Sequence, residues 1–247
     1  MPRFKLTVEY DGTGLGGWQK QNDYPTVQGY LEEAISKITG TYRKTVAAGR
    51  TDAGVHALAQ AVHVDIERDI TTFSVMHAIN FHLLPLSMQI IVTAAEQVSD
   101  DFHARFSAVS RSYFYRIINR PARLAVFAGH AWHIPEPLDA EAMSEAAGIL
   151  RGTHDFTTFR STLCQSKSPE KTLDRLDVVR EGDEIHIRAE ARSFLHNQVR
   201  NMVGSLRLIG NGKWTQARLR QALEAKDRTR GGETAPPQGL YLVRVSY

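Results

Sequence analysis

The sequence predicts an α+β fold built from two halves of like order, on three observations. Short alternating segments recur along the chain, segments with helical spacing of apolar residues separate them, and strand-helix-strand-strand-helix-strand occurs twice. The 247 residues, 42% of them apolar, suffice for one large domain or two smaller ones with a sizeable core.

In the first half, residues 3–10 (RFKLTVEY) alternate and predict a strand. Residues 27–38 carry apolar side chains at helical spacing, with Thr26 as N-cap. Residues 44–48 read as a short strand, 59–66 (AQAVHVDI) as its alternating partner, 73–84 as a helix ended by Pro85, and 88–96 as a strand. The second half repeats the order. Residues 112–119 are a strand and 139–150 a helix opening on Asp139. Residues 172–181 and 184–191 form a hairpin around Gly182-Asp183, 197–209 an amphipathic helix, and 239–247 the closing strand.

Each half therefore reads as the split β-α-β-β-α-β unit, ferredoxin-like or RRM-like, although the two share negligible sequence. The expected division is 1–105 and 106–247. If the two sheets join edge to edge, they make a central antiparallel surface with a cleft between the halves, a common place for a site. Residues 153–171 are polar and aperiodic and predict a long, functional connection. A short, flexible segment at 229–237 is expected before the last strand.

Composition excludes several classes. No run of about 18 apolar residues exists, so no membrane span is expected. The opening residues enter a strand pattern directly and predict no leader. Cys164 is the single cysteine, which excludes an internal disulfide framework and multi-cysteine zinc motifs and fits the cytoplasm. It has no adjacent His and reads as a packing residue. His56, His63, His77 and His82 lack metal-ligand spacing, so no metal site is expected. Net charge is +3, but its distribution says more. Between Asp101 and Glu136, and again between Glu190 and Glu224, acids are absent while arginines recur among aromatics. Such runs predict a polyanion-binding surface.

The most informative stretch is Gly49-Arg50-Thr51-Asp52-Ala53-Gly54-Val55-His56-Ala57. Its two glycines permit a tight loop that approaches a ligand closely. A carboxylate beside a guanidinium stays ionised, which suits attack on carbon, phosphate anchoring or metal binding better than general acid work. Taken alone, the same spacing also describes an ordinary turn.

This stretch resembles the signature of the tRNA pseudouridine synthase A family. Asp101-Phe102-His103-Ala104-Arg105-Phe106-Ser107-Ala108 and Arg111-Ser112-Tyr113-Phe114-Tyr115 fit the same family, in the right order. So do His196-Asn197-Gln198-Val199-Arg200-Asn201-Met202-Val203-Gly204, Ala225-Lys226-Asp227-Arg228-Thr229 and Gly239-Leu240-Tyr241-Leu242. The resemblance spans essentially the whole chain. It implies two ferredoxin-like halves joined into a pseudouridine synthase fold, and an isomerase converting uridine to pseudouridine in the anticodon stem-loop of tRNA, at positions 38, 39 and/or 40. It implies Asp52 as the catalytic nucleophile. Arg50 would displace the uridine and hold phosphate, Tyr113 would stack on the uracil, Arg200 would pair with the Asp, and Leu240 would wall the pocket. It implies tRNA as partner, a homodimer, and no cofactor or metal. The chain departs from the family at 80–88, where an extra residue stands and an acid is lacking. Two rivals make opposite demands. A non-catalytic RNA-binding protein with two RRM-like units has no need for Asp52, and a carboxylate hydrolase would show a second acid in a comparable motif.

Overall fold

A computed structural model of the chain describes residues 2–67 and 70–247. Two compact units make it up, one comprising Met1–Val109 with Tyr241–Tyr247 and the other Ser110–Leu240.

Unit 1 runs β1 (Arg3–Tyr10), α1 (Val27–Thr39), β2 (Val46–Ala47), β3 (His56–Asp65), α2 (Thr72–Leu83) and β4 (Ile90–Val98). Its strands lie in the order β4-β1-β3, with β2 on β3, every pair antiparallel. This is the expected split β-α-β-β-α-β order. Phe4, Leu6, Val8 and Tyr10 alternate into the core from β1. Thr26 caps α1 by accepting from the Gly29 N–H, and Val27, Leu31, Ala34 and Ile35 form its buried stripe. Each fully buried Val, Leu or Ile of that stripe contributes about 1.5–3 kcal/mol. In α2, Thr71 is the cap and Val75, Ile79 and Leu83 are buried at four-residue spacing. The atypical 80–88 region is anchored by Asn80, whose side chain donates to the Val92 carbonyl and accepts from the Val92 N–H, both at 2.8 Å. The strand β10 (Leu240–Ser246) returns to this unit and pairs with β3 in parallel, Tyr241 opposite His56.

The Asp101–Ala108 motif is a structural knot in unit 1. The Ala104 N–H donates to His63 Nδ1 at 3.0 Å, the Ala104 carbonyl accepts from the Tyr247 hydroxyl, and Arg3 donates to the Asp100 and Phe102 carbonyls. Burial, then Arg3 and His103 nearby, lowers the His63 imidazole to about 4. Because the unfolded chain binds this proton near pH 6.5 and the folded chain refuses it, stability falls as pH drops from about 6.5 towards 4. His63→Gln is expected to flatten the fall of the urea midpoint across this window relative to wild type; parallel pH curves would remove His63 as the cause.

Unit 2 contains β5 (Ser110–Asn119), β6 (Trp132–Ile134), α3 (Ala140–Ala147), β7 (Gly152–Asp155), β8 (Glu170–Glu181), β9 (Glu184–Ala191), α4 (Gln198–Gly210) and α5 (Gln216–Ala225). The strands run β5-β9-β8-β7 antiparallel, with β6 parallel to β5. Asp139 caps α3 as expected. Three elements exceed the sequence reading. β6 and β7 are too short for their period to be visible, and β7 sits inside the stretch expected to be one long connection. α5 is mostly charged, yet Thr215 caps it and Leu219, Ala222 and Leu223 are buried at helical spacing.

The segment expected to be short and flexible is instead pinned to α4. The Arg228 guanidinium donates to the Gly232 carbonyl, Asn201 Oδ1 and the Thr234 hydroxyl, at 2.9, 3.0 and 3.0 Å. The Gly232 N–H donates to Ser205 Oγ. Gly204 lets the chain cross, since a Cβ there would lie 1.8 Å from the Glu233 carbonyl oxygen. Its composition resembles a linker, but its polar groups are matched to one helix face.

Candidate active site

The loop between β2 and β3 is fixed from several sides within unit 1. The Gly49 carbonyl accepts from Gln60 Nε2 at 2.7 Å. Thr51 Oγ1 shares a 2.7 Å hydrogen bond with the Tyr10 hydroxyl, and its carbonyl accepts from the Trp18 N–H at 3.1 Å. Burial pushes the Tyr10 phenol up to about 12, so it holds the loop as a neutral group. The Asp52 carbonyl accepts from the Val55 N–H, closing a turn in which Gly54 takes a φ of 76°. Gly49 is not among the positive-φ residues; its part is the carbonyl that Gln60 grips.

A second segment, absent from the sequence reading, backs this loop. Gly17 has a φ of 88°, and a Cβ on it would lie 2.6 Å from the Thr51 carbonyl oxygen and 2.9 Å from the Asp52 carbonyl carbon. The glycine cluster Gly12, Gly14, Gly16 and Gly17 was the available signal. Trp18 is 2% exposed and its ring lies 6.3 Å from that of Tyr10. The outcome is one half-buried carboxylate, Asp52, and one exposed guanidinium, Arg50, on a backbone held by groups from β1, β3 and the glycine segment. A backbone held in this way is ordered before any ligand arrives.

Tyr113, Arg200 and Leu240 belong to unit 2. Tyr113 is half-buried on β5, edge-to-face with Phe194 at 5.2 Å. Two residues on, the Tyr115 hydroxyl donates to the Pro236 carbonyl at 2.7 Å. Burial pushes the Tyr115 phenol up. Arg200, in the first turn of α4, donates through Nε to the Ala235 carbonyl at 2.7 Å and through Nη1 to Asn197 Oδ1 at 3.3 Å. Adjacent carbonyls of the strap 228–237 therefore tie down both the strand of Tyr113 and the helix of Arg200. Asn197, at the helix start, is a non-glycine residue at φ 62°, a strained conformation of the kind found near functional sites. Leu240 is 6% exposed. The Arg228 fork, which organises this strap, is the second feature that sequence reasoning missed.

The arginine runs are acid-free along the chain but not in space. Arg111 is buried and donates to the Arg192 carbonyl. Arg116 pairs with Glu184 at 3.2 Å and Arg120 with Asp183 at 3.5 Å, the acids arriving from the hairpin β8-β9. Arg207 pairs with Glu233 at 3.6 Å. Arg105, Arg123, Arg192, Lys213 and Arg220 are the exposed cations of the two runs. Among the described residues no helix is long and apolar enough to cross a membrane. His56 Nδ1 lies 3.0 Å from the Gly12 N and 2.9 Å from Asp11 Oδ1, and the His56 ring stacks on Tyr241 at 4.7 Å.

A family model described as tRNA pseudouridine synthase matches residues 6–107 and 146–247. The chain is 58% identical over 247 residues to the tRNA pseudouridine synthase A of Paramagnetospirillum magneticum, covering all of this chain and 96% of that protein. It is 57% identical to the protein of the same name from Afipia carboxidovorans, with both chains covered completely. With the counterpart from Brucella ovis it shares 56% identity, covering all of this chain and 98% of that one.

Proposed function

This chain belongs to the tRNA pseudouridine synthase family and isomerises uridine to pseudouridine in tRNA, and we propose that Asp52 is the nucleophile of the reaction. The reaction breaks the N1–C1′ bond of a uridine, turns the uracil and forms a C5–C1′ bond. N1 gains a proton and C5 loses one, so atoms balance without a redox partner. Attack of a carboxylate on C1′ and its addition to C6 both begin from the ionised Asp52. The observation that carries this reading is the loop itself, which presents one half-buried carboxylate on a backbone bonded at Gly49, Thr51 and Asp52.

The substrate is proposed to be the anticodon stem-loop. A uridine in a stem must leave the stack before any group reaches its sugar, at a cost of a few kcal/mol. Arg50, exposed and two residues from Asp52, fills the vacated space and holds phosphate in this proposal. Tyr113 stacks on the extruded uracil, and Arg200 and Leu240 complete substrate binding. The enzyme is proposed to act in the cytoplasm as a homodimer, without metal or cofactor.

The direct test is incubation with unmodified tRNA tritiated at uridine C5. Tritium release into water is expected, and none from any tRNA would end the reading. Arg50→Ala is expected to raise KM and lower kcat, each by roughly tenfold, since it removes a phosphate contact and the group that replaces the base. Unchanged kinetics would remove Arg50 from base extrusion.

A further inference from the structure

We propose that a cleft in unit 1, lined by Tyr24, Tyr42 and Lys20, is a second RNA-contact site that stacks an unpaired base of the tRNA. The proposal rests on the reading of the chain as a tRNA enzyme and adds a site away from the catalytic loop.

The cleft lies among the 20–26 segment, the first turns of α1 and the 40–42 turn, with a volume of about 560 Å³. That falls within the range of sites for small organic ligands, a nucleotide among them. Tyr24 is 66% exposed and Tyr42 59% exposed. Large aromatic rings left this open beside a cleft are stacking platforms, because every base offers a π-face. Lys20 Nζ sits 5.0 Å from the centre of the Tyr42 ring.

Its floor explains why one wall is rigid. Glu32 is 1% exposed, and its Oε1 accepts from Gln28 Nε2, the Thr45 N–H and the Thr45 hydroxyl. Oε2 accepts from the Tyr42 hydroxyl at 2.7 Å, with Lys20 Nζ at 3.9 Å. Tyr42 is therefore oriented before a ligand arrives, which lowers the ordering cost of binding. The charge balance selects the ligand chemistry. Lys20 is the single cation among the lining residues, against Glu32 and Glu33. A phosphate-only ligand gains little there, whereas a base gains aromatic faces and hydrogen-bonding edges.

One chain segment runs from the support of the Asp52 loop at Gly17 and Trp18 to the cleft lining at residues 20–26. The segment that supports Thr51 through Trp18 folds back on the cleft-lining Pro25, whose carbonyl accepts from the Gly16 N–H, and is tied to the start of α1 by Val27 N–H to Gly17 and Gln28 N–H to Trp18. An RNA engaging both surfaces is held by a single piece of backbone.

The test uses the full-length enzyme and full-length tRNA. Tyr24→Ala is expected to raise KM about tenfold, the loss of one stacked base, with kcat within twofold of wild type. Tyr24→Trp, which keeps a stacking face, is expected to restore KM. Tyr42→Ala is expected to act likewise, with its melting curve recorded because the hydroxyl bond to Glu32 is lost. Wild-type KM in Tyr24→Ala overturns the proposal, as does a KM that Tyr24→Trp fails to rescue or a loss in kcat alone. Free uridine monophosphate is the control. If it competed with tRNA in wild type and not in Tyr24→Ala, the cleft would be a free-nucleotide site and the proposal would fall. A wild-type enzyme that releases no tritium fails the activity instead, so the two failures are separable.

Discussion

Asp52→Asn is expected to lower kcat for tritium release by on the order of a thousandfold or more, the scale seen when a nucleophile is removed. The tRNA dissociation constant should stay within about threefold. The substitution keeps shape and bulk while removing the anion that either first step requires. The bonds that set the loop, from Gln60 to Gly49, Tyr10 to Thr51 and Trp18 to Thr51, do not use the Asp52 side chain. Single-turnover assays with filter binding on the same preparation separate the two quantities. Normal turnover by the variant would show that the nucleophile lies elsewhere; lost binding would show that the loop had been disturbed.

Gly17→Ala should damage stability and catalysis together. An alanine there must hold a φ of 88° and place its methyl carbon 2.6 Å from the Thr51 carbonyl oxygen. The conformational term costs about 1 kcal/mol, and overpacking against backbone adds about 1–3 kcal/mol. The sum lowers Tm by roughly 4–16 °C for a chain of this size. A displacement of the loop by about 1 Å is worth about a hundredfold in kcat. Gly14→Ala is the control, because Gly14 has a φ of 73° but nothing within 4 Å of an added Cβ. It should cost about 1 kcal/mol of stability with kcat unchanged. If Gly17→Ala kept wild-type kcat, close placement of the Asp52 loop would not limit the reaction.

Legibility differed between elements for identifiable reasons. The strand β9 was read to the residue because Ile185, Ile187, Ala189 and Ala191 alternate without interruption into the core. The helices α1 and α3 were legible from their caps, Thr26 and Asp139. β6 and β7, at three and four residues, carry too few positions for a period. The polyanion surface was read from one dimension. Arg116 and Arg120 stood in an acid-free run, and the β8-β9 hairpin then brought Glu184 and Asp183 to them. The strap at 229–237 was misread because Gly, Pro and Thr compose a linker and a pinned segment alike. Only the partners Asn201 and Ser205, each 27 residues away along the chain from the group it holds, distinguish them.

By itself, the sequence determined the order of strands and helices in unit 1, the longer elements of unit 2 and the Gly49–Ala57 loop with its single carboxylate, together with the motifs that name the family. Those are local signals, carried by side-chain period and by residue types needed at adjacent positions. Tertiary structure alone decided that Tyr10, Gln60, Trp18 and Gly17 hold that loop, that Arg228 organises the strap under Arg200, and that the last strand lies beside β3. Each depends on hydrogen bonds or close approach between segments distant along the chain, such as the pair Tyr10 and Thr51, 41 residues apart. No local period encodes such a contact. It forms only when folding brings the donors and acceptors together and burial leaves them no other partner.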